Sequence, residues 1–164
     1  FERRYELGGF GAGEITFGER AAWVPLFASS VLLRIDAATG STTRIPVGAG
    51  PTDPVMGFGS VWVTSTQQGT VWRLEPFTGQ VQQVIAVGRV PFGLAVGAGS
   101  VWVTDSCGGT VARIDPETNK VVARIETGHI PRWLAVGAGH VWVGVAGEDT
   151  LGVRSSPRCN ESTP

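Results

Sequence analysis

The sequence predicts an all-β repeat chain: four units of ~40 residues, each a four-stranded antiparallel sheet. Three observations carry this prediction. Trp23, Trp62, Trp102 and Trp142 recur at intervals of 39, 40 and 40 residues, the last three inside Val-Trp-Val. Pro51, Pro91 and Pro131 keep the same phase, as do the turns Gly57-Phe58-Gly59-Ser60, Gly97-Ala98-Gly99-Ser100 and Gly137-Ala138-Gly139-His140. Turn-forming residues arrive about every 8–12 residues, and no helical spacing of apolar residues competes with them.

The third unit shows each element. Phe92 to Val96 reads as strand a. Gly97-Ala98-Gly99 is a tight turn, because glycine accepts positive φ without steric cost. Strand b is Ser100 to Thr104, rich in Val and Trp, and Ser106-Cys107-Gly108-Gly109 turns the chain again. Strand c is Thr110 to Asp115 and strand d is Lys120 to Glu126. Between c and d, Asp115 can accept turn amides, Pro116 fixes φ, and Asn119 occupies a left-handed position that Gly40 and Gly79 fill in the sister units. Strands d of the earlier units fall near residues 44–47 and 83–87. Thr150 to Arg154 is a degenerate fourth strand c. The fourth d is missing from the C-terminal end, and Arg4 to Leu7, ahead of Gly8-Gly9, falls on the d position.

A lone four-stranded sheet of this kind cannot bury both faces, so the units must stack laterally around an axis as propeller blades. Small inner-strand residues, Ala95, Ala135 and Gly57, suit the crowding there. Residues 1–155 form one propeller module, with 1–8 a candidate closing strand and 156–164 a tail. Three assemblies stay open: a small closed ring, half of an eight-bladed ring completed by a second chain, or a fragment of a larger propeller. Strand sharing between ends would remove open edges.

The run Pro91-Phe92-Gly93-Leu94-Ala95-Val96-Gly97-Ala98-Gly99-Ser100-Val101-Trp102-Val103-Thr104-Asp105, with Gly109-Thr110-Val111-Ala112-Arg113-Ile114-Asp115-Pro116-Glu117-Thr118, resembles the YVTN or YncE-type β-propeller repeat. It is also similar to repeats of streptogramin (virginiamycin B) lyase-like propellers. The resemblance runs from about Glu14 to Thr150. It implies a propeller of bacterial, extracytoplasmic type, a placement that the processed start at Phe1 also favours. The lyase-like relatives imply paired histidine and acidic side chains with a divalent metal. No Glu-x-His or His-x-Glu pair occurs, and Glu126-Thr127-Gly128-His129 has the wrong spacing for alternating strand side chains.

Composition narrows the function classes. Thirteen basic and fourteen acidic residues leave a net charge of −1, which supports neither a nucleic-acid footprint nor a polybasic membrane anchor. No apolar run reaches the ~18 residues of a membrane span. Cys107 and Cys159 are too few for a disulfide framework and lack zinc-ligand spacing, so a single disulfide or inert thiols remain. His129 and His140 flank one strand of roughly 16 Å, so they lie at opposite ends of the blade and cannot share a proton relay. No catalytic constellation, metal site or cofactor is expected, and the reading leans away from an enzyme.

Strand direction puts the b–c turns and d–a connections on one face, the usual ligand face of a propeller. The candidate ligand-binding residues there are Asp53, Arg89, Phe92, Asp105, His129, Arg132 and Trp133. Ordinary solvated loop residues are the plainer reading of the same set. The strand-b tryptophans are expected between blades, and the pairs Arg34/Asp36, Arg73/Glu75 and Arg113/Asp115 on one blade face as surface ion pairs. The expected role is a binding or assembly module that presents loops to a protein, peptide or small ligand, with a homodimer as one way to complete the ring. A metal-dependent lyase-like enzyme and a structural subunit of a larger complex are the alternatives.

Overall fold

The computed structural model describes Tyr5, residues 13–128 and 130–146, and Cys159. The candidate strand Arg4–Leu7 apart from Tyr5, the candidate strand Thr150–Arg154, His129, and the tail 156–164 apart from Cys159 lie outside the described residues. The described residues are almost entirely β-strands and turns, with a 3-10 turn at Phe27–Ser29.

Blade one comprises β1 (Thr16–Gly18), β2 (Ala21–Leu26), β3 (Val31–Asp36) and β4 (Thr42–Pro46). Blade two comprises β5 (Pro51–Gly57), β6 (Ser60–Ser65), β7 (Thr70–Leu74) and β8 (Val81–Ala86). Blade three comprises β9 (Pro91–Gly97), β10 (Ser100–Asp105), β11 (Thr110–Asp115) and β12 (Lys120–Glu126). The last blade contributes the hairpin β13 (Ile130–Gly137) and β14 (His140–Ala146). Within each sheet the strands follow chain order and pair antiparallel, and the a strands β1, β5, β9 and β13 line the inner edge in succession.

Local chemistry explains the turns. The a–b hairpins place two residues at positive φ, the requirement of a type I′ turn: a non-glycine then a glycine in blades two to four, 49° for Ala98 and 69° for Gly99, and Glu19 then Arg20 in blade one, at 48° and 60°. In the c–d turns Asp36, Glu75 and Asp115 accept the amides of Ala38, Phe77 and Glu117 at 2.9–3.1 Å. Such bonds, chiefly from the Thr39 amide, the Thr78 hydroxyl and the Glu117 amide respectively, hold these carboxyls below the usual carboxylate range. Asn119 adopts φ 57°, where Gly40 and Gly79 have 73° and 74°.

The core lies between blades. Trp23, Ala21, Leu32 and Ile45 of blade one meet Val61, Val63 and Leu74 of blade two. Trp62, Val71, Ile85 and Val87 of blade two meet Leu94, Val101, Val103 and Ile114 of blade three. Trp23 and Trp62 are fully buried and Trp102 is 8% exposed, but Trp142 is 60% exposed. Three indoles stand between sheets as expected. The fourth departs because no described blade follows it.

The strand-c pairs also divide their labour. Only Arg34 and Asp36 approach as an ion pair, at 3.7 Å, among the described residues. The acidic partner of each pair closes its own turn. The arginine lies over its blade's indole, 4.8 Å from the Trp62 ring for Arg73. Arg113 donates to Ser100 Oγ of its own blade at 2.7 Å, whereas Arg73 and Arg34 reach forward. Arg73 donates to the Pro116 carbonyl at 2.6 Å and to Asn119 Oδ1 at 2.8 Å, both on the next blade. Arg34 reaches the Pro76 carbonyl in the same way, at 3.3 Å.

Candidate functional site

The d–a connections and b–c turns converge on one face, where a cavity of about 340 Å³ opens at the inner edge. Three repeat positions supply its wall. Phe27, Thr66 and Ser106 each begin a b–c turn; Val90 and Ile130 precede the strand-a prolines; Phe92 and Arg132 follow them. The disulfide Cys107–Cys159 closes one side of it.

Hydroxyl groups fix these segments. Ser106 Oγ donates to the Pro131 carbonyl at 2.7 Å, and Thr66 Oγ1 donates to the Gly50 carbonyl at 2.9 Å. Thr104 Oγ1 accepts from the Gly93 amide and donates to the Arg132 carbonyl, so blade three carries blade four's inner strand. Thr64 makes the equivalent bond to the Phe92 carbonyl at 3.1 Å. The cavity lining is thus tied from blade to blade by bonds that are themselves half-buried or buried, where each is worth more than in water.

Of the predicted residues, Phe92 and Arg132 come together at this cavity. The guanidinium of Arg132 lies 5.4 Å from the Phe92 ring centroid, a cation–π contact. Arg132 is the charged side chain of the lining, so the cavity pairs apolar walls with one cation. Asp105 is buried, and its carboxylate accepts the amides of Arg89 and Val90 at 2.9 Å each; it shapes the d–a connection from beneath. Arg89 stands exposed on the rim of the same connection. Trp133 does not line the cavity, pairs with Gly144 and is 56% exposed.

Asp53 occupies a separate place on the inner edge. It sits at the irregularity in β5 between Thr52 and Val55, at φ 46°, a region that Asp enters more readily than most non-glycines. Its Oδ2 accepts the Leu94 amide of the next blade. Burial first, and the neighbouring Glu14 carboxyl second, push the Asp53 carboxyl up to about 7. The two acids hold one repeat position in adjacent blades, so the inner edge there is acidic. Among the described residues, no three His, Cys, Asp or Glu side chains gather as a metal-ligand group.

Sequence reasoning missed Phe27, Thr66, Val90, Ser106 and Ile130. The signal was present in the phase of the repeat: these residues fall on only two repeat positions, each displayed once per blade. No family model and no curated protein matches the sequence. Solved structures do. A streptogramin B lyase shares 19% identity at TM-score 0.76, with 85% of this chain and 50% of the lyase covered. The computationally designed Ika4 protein shares 18% identity at TM-score 0.73, covering 85% of this chain and 89% of the design. BamB from Moraxella catarrhalis shares 18% identity at TM-score 0.70, covering 81% of this chain and 41% of BamB. The chain therefore spans about half the length of the lyase, and what the three likenesses establish is that it has the β-propeller fold.

Proposed function

We propose that the chain is a propeller binding module whose cavity face takes a small ligand or peptide group that is apolar and negatively charged. The observation that carries this reading is Arg132 stacked on Phe92 in the wall of an otherwise apolar and hydroxyl-lined cavity. About 340 Å³ lies at the small end of the range for ligand pockets. The cation is held by its ring contact and needs no rearrangement to meet a carboxylate. The hydroxyls of Thr66 and Ser106 already donate to backbone carbonyls, so they offer acceptor lone pairs and shape more than charge. An extracytoplasmic placement accords with the Cys107–Cys159 disulfide, since such bonds persist in oxidising compartments. No helix of the described residues is long and apolar enough to cross a membrane.

Titration calorimetry with N-acetylphenylalanine and its uncharged amide tests the reading. The parent binds the acid at least tenfold more tightly than the amide, about 1.4 kcal/mol of discrimination. Arg132→Ala abolishes that preference while its circular dichroism spectrum stays that of the parent. Equal affinity of the parent for both probes, or a preference that survives Arg132→Ala, refutes it.

A further inference from the structure

The junction between blades repeats along the inner edge as a knob in a hole. A Cβ placed on Gly18 would stand 3.4 Å from the Met56 Cβ; on Gly57, 2.9 Å from the Val96 Cβ; on Gly97, 2.9 Å from the Val136 Cβ. Each glycine ends strand a of one blade, and each knob comes from the same repeat position on strand a of the next. Among the described residues the series has one hole and one knob left over. Gly137 has no atom within 4 Å of where its Cβ would be. Phe17, the blade-one counterpart of Met56, Val96 and Val136, is 67% exposed.

The surroundings of both match. Gly137 and Ala135 lie on the face of β13–β14 that carries Trp142 and Trp133, both more than half exposed. Trp142 already makes the internal bond of Trp62 and Trp102, from Nε1 to the Gly137 carbonyl at 3.3 Å, against 3.0 Å for Trp62 to Gly57. Among the described residues no blade covers it. At the other end, Val24, Leu26 and Leu33 are buried further out on blade one, while Ile15 and Phe17 stand exposed at the inner edge. An inner edge is what a two-stranded inner hairpin can cover. Gly144 stands where Thr104 ties blades three and four, but Pro25 holds that position in blade one and its junction forms without such a tie.

We propose that the open face of β13–β14 is an interface for a second copy of this chain, which inserts Phe17 over Gly137 between Trp133 and Trp142. This interface continues the three junctions inside the chain. The occupant is a second copy because, among the described residues, neither Phe17 nor any other group of the same chain comes within 4 Å of where a Gly137 Cβ would be. The contact is head-to-tail, so two copies close a ring through two identical junctions.

Cross-linking decides between the two ways of filling the hole. All described cysteines are already paired, and Gly137 does not need positive φ, so Phe17→Cys with Gly137→Cys adds one new thiol pair at a tolerant position. Internal counterparts have Cβ separations of 2.9–3.4 Å, so a small outward shift brings a cysteine pair to the ~3.5–4.5 Å of a disulfide. Oxidised in air and run without reductant, this double variant gives a covalent dimer that reductant returns to 17.2 kDa. An internal cross-link at single-chain mass, or no cross-link in a variant with the parent's circular dichroism spectrum, overturns the proposal. Sedimentation supplies the independent check. The parent chain runs at twice its single-chain mass, and Phe17→Asp and Gly137→Glu each run at half the parent's mass. A one-to-one mixture of the two recovers dimer, because one of its two junctions is intact. A monomeric parent, or a dimer that neither variant weakens, overturns it equally.

Discussion

Trp62 and Trp142 occupy one repeat position in two blades, 80 residues apart, inside the same Val-Trp-Val. Both indoles donate to the carbonyl of the glycine that ends strand a. One is fully buried and the other is 60% exposed. Local sequence and local hydrogen bonding are therefore not what bury the ring. The difference is the next blade: Leu94, Val101 and Val103 cover Trp62, with Arg73 clamped across its face to Pro116. Trp142 has His140 beside it at 5.8 Å and no following sheet among the described residues. A propeller blade is thus a shape whose stability is supplied by its neighbours.

The largest effect should separate these two positions. Trp62→Ala opens a cavity between two sheets and removes a cation–π contact, a loss of about 3–5 kcal/mol by comparison with other buried aromatic truncations. Trp142→Ala, in dilute solution, costs less than about 1 kcal/mol, in the range of surface substitutions. Urea unfolding of the two variants measures the gap, and equal losses would break the comparison.

A second contrast concerns charge at the blade one–blade two boundary. The Asp53 carboxyl is raised to about 7, mainly by burial, so the folded chain holds a proton that the unfolded chain releases near 4. Stability is then greatest at low pH and falls as pH rises from about 4 through 7 on account of this group. Asp53→Asn removes that slope and is the more stable form at pH 8, by about 2 kcal/mol. Denaturation at pH 5 and pH 8 reads both. A parent whose stability is flat across that interval removes the acid from the account.

The smallest effect sharpens the comparison within the buried set. Trp62 Nε1 has its carbonyl partner, but the buried Trp23 Nε1 has none among the described residues. Trp62→Phe forfeits a bond and costs about 1 kcal/mol more than Trp23→Phe, which removes a buried donor that was never satisfied. Thermal unfolding of the two phenylalanine variants orders them.

Much of this architecture is readable before any coordinates. The strands Thr110–Asp115 and Lys120–Glu126, the Asp115 turn and the left-handed Asn119 all follow from local chemistry, which needs no knowledge of the neighbouring blade. What was hidden depends on contacts across blades. The stretch from Ala21 to Leu33 shows only an apolar run, while its Trp23 turns toward blade two and its Val24 away from it. Arg73 reads as a partner for Glu75, yet the c–d turn of the next blade offers it a carbonyl and an amide oxygen. Asp105 reads as a loop carboxylate free for a ligand, yet the d–a connection bends back and presents two amides to it. Spacing along the chain reports where a residue recurs. It does not report what the rotation between sheets brings opposite to it.

The central claim is that lateral neighbours bury these indoles. Oxidative footprinting of the tryptophans, read residue by residue by mass spectrometry in dilute solution, tests it directly. The account predicts slow modification of Trp23, Trp62 and Trp102 and rapid modification of Trp133 and Trp142. Modification of Trp62 or Trp102 as fast as that of Trp142 would contradict it.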